Sequence, residues 1–285
     1  MAEAGSFSWQ ELLKTLPDER PLIAGIVNAT PDSFSDGKGS VDAEERVAFA
    51  LQLLRDGADI LDIGAESTRP GAEEVAPAEE WARLEAVLNG ILSLAPDAVI
   101  SIDTRHSQTA RKALAAGAKI INDVSGLTFD PAMSKVVADS QCGVIITHSS
   151  DIPLYMQKAG HAIEEDACNQ VKESLQELVN KAIENNIPRE AIMLDVGIGF
   201  GKSRRANYDL LRSAGEFERA FALPFCWGVS RKSMFKSEND TLEKRIAGSL
   251  AMAVKLAEQG VSLLRVHDVA QTFAALAAVR ELAQK

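Results

Sequence analysis

Cysteine is scarce in this chain, and its spacing forms no motif. The 285 residues contain three cysteines, Cys142, Cys168 and Cys226, and no two of them stand in a C-x-x-C arrangement. So few cysteines without that spacing indicate buried thiols in a reducing cytosol rather than reactive or paired groups. The sequence therefore predicts a cytoplasmic protein.

Net positive charge is absent as well. Lys and Arg together number 30 against 41 Asp and Glu, which gives a formal net charge of −11. This excess of negative charge argues against nucleic acid or an anionic membrane as a partner. An anionic substrate must then be held by a local cluster of basic side chains that acts against the overall field. The expected partners are small-molecule substrates.

Long apolar runs are also missing, since none approaches the length that spans a membrane. The segment from Met1 to Arg20 has early acidic residues and lacks the apolar stretch of a secretory signal. We therefore expect no membrane partner and no secretory signal.

The chain does contain a short apolar run that stops at a polar residue, repeated many times. The runs are Leu22 to Val27, Asp59 to Ile63, Ala98 to Ile102, Ala118 to Ile121, Gly143 to Thr147, Ala191 to Asp195, Phe225 to Val229 and Val261 to Val266. Helical patterns lie between them, and this alternation implies a parallel sheet covered by helices. The sequence predicts an α/β protein with a single (β/α)8 TIM barrel over residues 21–285, preceded by an N-terminal extension over residues 1–20.

The run that ends at Asp195 opens into a loop with glycines at 197, 199 and 201. Glycine lets the backbone approach a bound molecule closely, so we interpret this run as a buried strand that delivers Asp195 to a ligand. Two phosphate-binding motifs fit poorly. Val196 stands where a P-loop needs glycine, and the dinucleotide pattern G-x-G-x-x-G is not met.

Three polar side chains at predicted strand ends form a ring-reading set, Asp103, Asn122 and Asp195. In a closed barrel these ends converge near the axis. Two carboxylates and an amide can hydrogen-bond a flat, nitrogen-rich ring, because the carboxylates accept from amino and ring N–H groups while the amide both donates and accepts. The alternative is that these residues only cap the backbone at the strand ends.

A second group, the anion-binding set, comprises Arg69, Lys232, Arg265 and His267. Arg offers planar forks for phosphate oxygens and Lys a point charge, so the set predicts a phosphate or pyrophosphate site. An isolated Arg or Lys would instead be a solvated surface residue. Asn28 offers a neutral oxygen to Mg²⁺, which proteins commonly bind with few side chains plus substrate phosphates. His148 either lines the pocket or forms a bond within the protein.

Seven segments together give the sequence a family resemblance. They are Asn28 to Asp36, Asp62 to Gly71, Ser101 to Thr104, Ile121 to Asp123, Asp195 to Lys202, Ser230 to Ser233 and Arg265 to Asp268. In this order they resemble the dihydropteroate synthases, folate-pathway enzymes of the pterin-binding TIM-barrel family. Any one segment is a weak pattern, whereas all seven together are highly specific.

The resemblance implies a transferase that condenses 6-hydroxymethyl-7,8-dihydropterin pyrophosphate with 4-aminobenzoate, giving 7,8-dihydropteroate and pyrophosphate. It implies Mg²⁺ as cofactor, a homodimer, a sulfonamide target and a dissociative path in which pyrophosphate leaves before the amine attacks. The catalytic residues it implies are Asp103, Asp195, Lys232 and Arg265. The implied pterin groups are Asp103, Asn122, Asp195 and Lys232. The implied pyrophosphate groups are Asn28, Arg69, Arg265 and His267, with Asn28 also the metal ligand. The implied aminobenzoate groups are Thr68, Pro70, Phe200, Lys232 and Ser233.

Two positions depart from the family pattern. Val196 follows the strand-end aspartate where the family usually has proline, and Ser149 replaces an apolar wall of the pterin pocket. Two other functions remain as alternatives. One is a methyltetrahydrofolate corrinoid methyltransferase domain, against which the Thr-Pro-Asp-Ser-Phe and Ser-Arg-Lys-Ser segments argue. The other is a non-catalytic pterin-binding module, which predicts gaps in the pyrophosphate groups, and the sequence has none.

Overall fold

The chain forms a closed barrel of parallel strands surrounded by helices. The computed structural model describes residues 6–16, 20–30, 43–67, 74–149, 162–236 and 240–283. The strands are β1 (Leu22–Asn28), β2 (Ile60–Gly64), β3 (Val99–Asp103), β4 (Ile120–Asp123), β5 (Gly143–Thr147), β6 (Ile192–Asp195), β7 (Phe225–Trp227) and β8 (Leu263–Val266). Each pairs with the next in chain order, and β8 closes the ring against β1. The predicted (β/α)8 TIM barrel is confirmed.

One helix precedes the first strand, and the others alternate with the strands around the outside of the barrel. They are α1 (Trp9–Lys14), α2 (Ala43–Arg55), α3 (Pro77–Leu94), α4 (Ser107–Ala116), α5 (Met133–Ser140), α6 (Ala167–Glu184), α7 (Arg204–Arg212), α8 (Ala214–Phe221), α9 (Leu242–Ala257) and α10 (Val269–Ala283). Short 3₁₀ helices cover Arg189–Ala191 and Ser233–Phe235. Local signals set several helix ends. Ser203 caps α7 by accepting from the amide of Ala206 at 3.1 Å, and α4 ends at Gly117, whose φ of 119° suits glycine.

The outward side of the strands packs against the helices and forms the main hydrophobic core. Ile63, Ile102 and Leu194 point outward and are fully buried among helix side chains such as Leu88 and Leu175. Burying one such side chain contributes roughly 1.5–3 kcal/mol. Because a strand alternates its side chains between two faces, the remaining residues of each strand point into the barrel.

The lower interior of the barrel is apolar and is closed by α1. Ile60, Ile120 and Met193 belong to one buried cluster there, together with Trp9. The indole Nε1 of Trp9 donates to the carbonyl oxygen of Ala191 at 2.9 Å, next to the start of β6. The helix around Trp9 thus lies over the floor of the barrel, opposite the carboxyl ends of the strands.

The sequence predicts buried, unreactive thiols and no run of membrane-spanning length, and the structure describes the cysteines and the helices concerned. All three cysteines are free, and Cys142 and Cys226 are buried. Burial raises the pKa of the Cys142 thiol to about 12, so this thiol is unreactive. Among the residues that the structure describes, no helix is both long and apolar enough to cross a membrane.

Candidate active site at the carboxyl end of the barrel

Asp62 is the centre of a buried hydrogen-bond network inside the barrel and is 1% exposed. Its Oδ1 accepts from Oγ of Ser101 at 2.7 Å, and its Oδ2 accepts from Nδ2 of Asn122 at 3.2 Å. Nε of Arg265 donates to the same Oδ2. Sequence reasoning gave Asp62 no role. The available signal was a charged residue within an apolar strand, because a buried carboxylate needs partners.

Arg265 also binds Asp103, so the ring-reading set and the anion-binding set meet at one guanidinium. Nη2 of Arg265 donates to Oδ2 of Asp103 at 2.5 Å. Burial acts to lower the pKa of Arg265, but the charges of Asp62 and Asp103 raise it overall. Burial also raises the pKa of Asp103, an effect that the Arg265 charge reduces without cancelling. Arg265 is therefore a permanent cation that orients two buried carboxylates.

Asp195 lies at the end of β6, 8% exposed, facing the same interior. Its Oδ1 accepts from the amide of Gly197 at 2.7 Å. Burial raises the pKa of Asp195, while the Gly197 bond and the charge of Lys232 act in the opposite direction. Thr147 pairs in register with Asp195, and among the described residues its buried Oγ1 has no hydrogen-bond partner. Sequence reasoning missed Thr147, whose hydroxyl adds a further polar group beside Asp195.

Phe200 and Lys232 form a second part of the site. The Nζ of Lys232 lies 4.7 Å from the centroid of the Phe200 ring. The ring packs against Val124 and is 8% exposed. Burial lowers the pKa of Lys232 to about 8, although the charge of Asp195 acts to raise it. This arrangement provides an aromatic wall with a cation on its face.

The other predicted aminobenzoate groups are Thr68, Pro70 and Ser233. Ser233 begins the 3₁₀ helix Ser233–Phe235 and is exposed. Thr68 and Pro70 lie outside the described residues, as does Arg69 of the predicted pyrophosphate groups, so these three assignments stay predictions.

The loop between Asp195 and α7 is held by two side chains that sequence reasoning missed, Lys202 and Asn207. Nζ of Lys202 lies 2.9 Å from Nδ1 of His148. Burial, with the charge of Lys202, lowers the pKa of His148 to about 3, so its ring is neutral and Nδ1 accepts from the ammonium. Of the two alternatives for His148, the structure shows a bond within the protein.

Asn28, at the end of β1, and His267, after β8, both line a cavity of about 340 Å³ that lies between β1, α2 and the start of α10. The backbone amide and Nδ1 of His267 lie 3.1 Å and 3.0 Å from Oγ of Ser230. Burial, with the charges of Arg231 and Arg265, lowers the pKa of His267 to about 3. His267 is therefore a neutral hydrogen-bonding group at physiological pH, not a cation.

Arg46 adds a cation to this cavity that the sequence did not suggest. Its guanidinium is 5% exposed and donates to the carbonyl oxygen of Asn28 and, at 2.8 Å, to that of Thr30. These bonds tie α2 to the segment that follows β1. Arg46 thus brings a positive charge to the cavity that Asn28 and His267 line.

The side chains of the described residues fit a magnesium ion only if the substrate completes its coordination. No group of three or more His, Cys, Asp or Glu among them could hold a metal ion. The Asn28 side chain is exposed at the end of β1, and its amide oxygen is a hard donor of the kind that Mg²⁺ accepts. One protein oxygen together with pyrophosphate oxygens matches the usual way in which this ion is bound.

A family model described as "Pterin binding enzyme" matches residues 24–267. The chain belongs to the pterin-binding enzyme family. A dihydropteroate synthase of Neisseria meningitidis serogroup C is 40% identical over 275 residues, which cover 95% of each chain.

Two further relatives of this pterin-binding enzyme are informative. A solved structure of Xanthomonas albilineans dihydropteroate synthase with 4-aminobenzoic acid is 37% identical, has a TM-score of 0.84, and covers 93% of this chain and 94% of that one. A probable bifunctional folylpolyglutamate synthase/dihydropteroate synthase of Haloferax volcanii is 39% identical over 254 residues. That match covers 89% of this chain and 30% of the haloarchaeal protein, so the chain spans less than a third of that relative.

The resemblance drawn from the seven segments is thereby confirmed. The comparisons support the dihydropteroate synthase interpretation, a transferase of folate biosynthesis, and support neither alternative function. The two residues that depart from the family pattern differ in burial. Val196, directly after Asp195, is fully buried, and Ser149, directly after His148, is half-buried.

Proposed function

We propose that this pterin-binding enzyme is a dihydropteroate synthase. It condenses 6-hydroxymethyl-7,8-dihydropterin pyrophosphate with 4-aminobenzoate, and the products are 7,8-dihydropteroate and pyrophosphate. The observation that carries the proposal is the meeting of Asp62, Asp103 and Asn122 with Arg265 inside one barrel mouth. Such a buried network suits a polar heterocycle beside an anion, and the family is one of pterin-binding enzymes.

The pterin ring is held by the carboxylates and amide at the strand ends. Asp195 keeps Oδ1 on the Gly197 amide, so its second oxygen can accept from the amino and ring N–H edge of the pterin. Asn122 donates to Asp62 through Nδ2, which directs its Oδ1 as an acceptor. Because each polar group has a fixed role, a ring with the wrong donor pattern leaves a buried group unpaired.

Departure of pyrophosphate is assisted by Arg265, the residue that the ring-reading and anion-binding sets share. The bond from the pterin methylene carbon to the bridging oxygen breaks, and its electron pair leaves with pyrophosphate. Nη1 of Arg265 takes part in neither of the two ion pairs and is available to the leaving group. Asn28, together with phosphate oxygens of the substrate, would hold a Mg²⁺ ion, which would further stabilise the charge that develops on pyrophosphate. Neutral His267 donates or accepts a hydrogen bond there.

Aminobenzoate then attacks the methylene carbon. A new C–N bond forms, and the amine becomes acidic only afterwards, so no general base is required. Asp103 or Asp195 can stabilise the positive charge on the pterin before attack, because both carboxylates are buried where water screens little. Phe200 and Lys232 form the wall against which the aromatic acid lies. Sulfonamides, as aminobenzoate mimics, are expected to compete there.

The proposal extends to a cytoplasmic homodimer. Three free cysteines are compatible with a reducing compartment. The alanine-rich helix α10 has small side chains that allow close packing against a second copy.

A mixing experiment tests the proposed activity. Purified protein is incubated with the pterin pyrophosphate, radiolabelled aminobenzoate and Mg²⁺, and labelled dihydropteroate is measured. The Asp195→Ala variant serves as a matched control because it removes a ring contact without touching the pyrophosphate groups. Failure of the wild-type protein to form labelled product would overturn the proposal. Methyl transfer from methyltetrahydrofolate to a corrinoid would instead favour the first alternative.

A further inference from the structure

Lys202 is a buried ammonium held by neutral acceptors. Its Nζ lies 2.9 Å from Nδ1 of His148, and it donates to the carbonyl oxygens of Gly197 and Phe200 at 3.0 Å each. The carbonyl of His148 lies at 3.3 Å. Among the described residues, no carboxylate forms an ion pair with this lysine, which is 8% exposed. Lysine is rarely buried without a paired charge because desolvation is costly, so this arrangement calls for a function.

Two of the carbonyl groups that Lys202 binds, those of Gly197 and Phe200, belong to a loop with little stiffness of its own. Gly197, Gly199 and Gly201 have φ values of 67°, 84° and 61°, a region that other residues rarely adopt. The loop also lies tightly on the end of β5, since a Cβ on Gly197 would come within 1.9 Å of the His148 carbonyl oxygen. A glycine-rich segment in this conformation needs external bonds to keep one shape.

Asn207 holds the same loop from the side of α7. Its Oδ1 accepts from the amide of Gly199 at 2.7 Å, and its Nδ2 donates to the carbonyl oxygens of Lys202 and Ser203 at 3.2 Å and 2.8 Å. Lys202 and Asn207 therefore clamp the loop between β5 and α7. Of the two, only Lys202 bonds directly to the backbone of Phe200.

The clamp decides where the Phe200 ring lies. The Phe200 carbonyl is bound by Lys202, its amide donates to Gly197 at 3.0 Å, and its ring faces the Nζ of Lys232 at 4.7 Å. Asp195, at the start of the loop, is also held by pairing with Thr147 of β5 and Cys226 of β7, contacts in which Lys202 takes no part. Loosening Lys202 should therefore displace Phe200 more than Asp195.

We propose that Lys202 is a positioning residue for the aminobenzoate step. Its ammonium fixes the loop after β6 so that Phe200 and Lys232 form one preorganised wall of the aminobenzoate site. The inference rests on the proposed function, because it concerns the second substrate of that reaction. It assigns Lys202 no contact with either substrate.

The first test compares Lys202→Met with the wild-type protein and with Lys135→Met. Lys135 is a suitable control because its side chain is 75% exposed and, among the described residues, forms an ion pair only with Asp139 in the neighbouring turn. Loss of preorganised binding should raise the aminobenzoate KM by about tenfold, with kcat and the pterin pyrophosphate KM changed by less than about threefold. Lys135→Met should match the wild type in all three constants.

The outcomes separate the inference from the proposed function. An unchanged aminobenzoate KM in folded Lys202→Met overturns the inference. An equal rise in the KM values for aminobenzoate and for the pterin pyrophosphate overturns it as well. A lower melting temperature without a change in KM shows a merely structural role and overturns it too. If the wild-type protein forms no dihydropteroate, the proposed function is wrong, and the inference that rests on it is overturned with it.

A pH profile provides a second readout that does not depend on Lys202→Met folding. Burial lowers the pKa of Lys202 to about 7, with the charge of Asp195 opposing and that of Lys232 assisting. His148, the remaining titratable neighbour, is neutral over this range. The ammonium is therefore complete below about pH 7 and lost above it, so the wild-type aminobenzoate KM should rise as the pH increases through that value.

Lys202→Arg keeps the charge at all accessible pH values and should remove this rise. The separate change in the aminobenzoate KM that deprotonation of Lys232 causes near its pKa of about 8 should remain in the Lys202→Arg variant. An aminobenzoate KM that rises through about pH 7 to the same extent in Lys202→Arg as in the wild-type protein would overturn the inference.

Discussion

Nη2 of Arg265 donates to Oδ2 of Asp103 at 2.5 Å, which joins β8 to β3 across the barrel mouth. The same guanidinium reaches Asp62 on β2 through Nε. The pterin and pyrophosphate sides of the proposed site therefore share Arg265. The residue types alone, polar groups in one set and basic groups in the other, suggest two separate pockets. Any change at Arg265 will act on ring recognition and on the leaving group together.

Arg265→Ala should destabilise the protein by about 3–5 kcal/mol, because it leaves Asp62 and Asp103 buried without a cation. Burial already raises the pKa of Asp103, and loss of Arg265 will raise it further. The folded variant then binds more protons than the unfolded chain, so its stability should increase as the pH falls from neutral towards the ordinary aspartate range. Urea unfolding at several pH values measures this.

The control for this measurement is Arg212→Ala. The Arg212 side chain is 70% exposed and pairs with Asp209 on the surface, so its loss should matter little. A variant at Arg265 that is no less stable than this control, or that weakens further as the pH falls, would contradict the ion-pair account.

Asp195→Asn should weaken pterin binding by roughly 2–4 kcal/mol, because the amide presents a donor where an acceptor is needed. Calorimetric titration with 6-hydroxymethylpterin measures the effect. Asp139→Asn, at an exposed position, is the control and should bind normally. Near-normal affinity of Asp195→Asn would show that Asp195 only braces the loop through Gly197.

Two variants should separate cleavage from capture. Without aminobenzoate, a reversible departure of pyrophosphate exchanges an isotope label between its bridging and non-bridging oxygens, provided the ion pair returns. Phe200→Ala should leave this exchange largely intact and raise the aminobenzoate KM, because the ring acts on the second substrate. Asn28→Ala should suppress the exchange, since its exposed side chain lies on the leaving-group side. Equal suppression in both variants would show that the loop after β6 also builds the pyrophosphate site.

Light scattering at micromolar concentration tests the proposed homodimer. The expected mass is about twice the chain mass of 30.6 kDa. Replacing small residues on exposed positions of α10 by glutamate, as in Ala270→Glu, should shift the mass towards that of one chain, whereas Ala95→Glu beyond α3 should not. A wild-type mass near 30.6 kDa rules out the dimer under these conditions.

The sequence by itself determined the barrel and most of its mouth. Each strand is a short apolar run with buried faces on both sides, so it can be recognised locally, and β5 has the predicted ends, Gly143–Thr147. The polar residue at the end of each run marks the carboxyl end of a strand. For this reason Asp103, Asn122 and Asp195 were predicted to converge, and the structure places all three at that end.

Only the tertiary structure decided which of these groups bind one another and which are charged. Arg265 meets Asp62 from 203 positions away along the chain, and Lys202 meets His148 from 54. No local pattern encodes such pairs, because they depend on which strand ends become neighbours when the ring closes. Charge follows burial in the same way: His267 is neutral and Lys202 is easily deprotonated because the closed barrel removes water from around them.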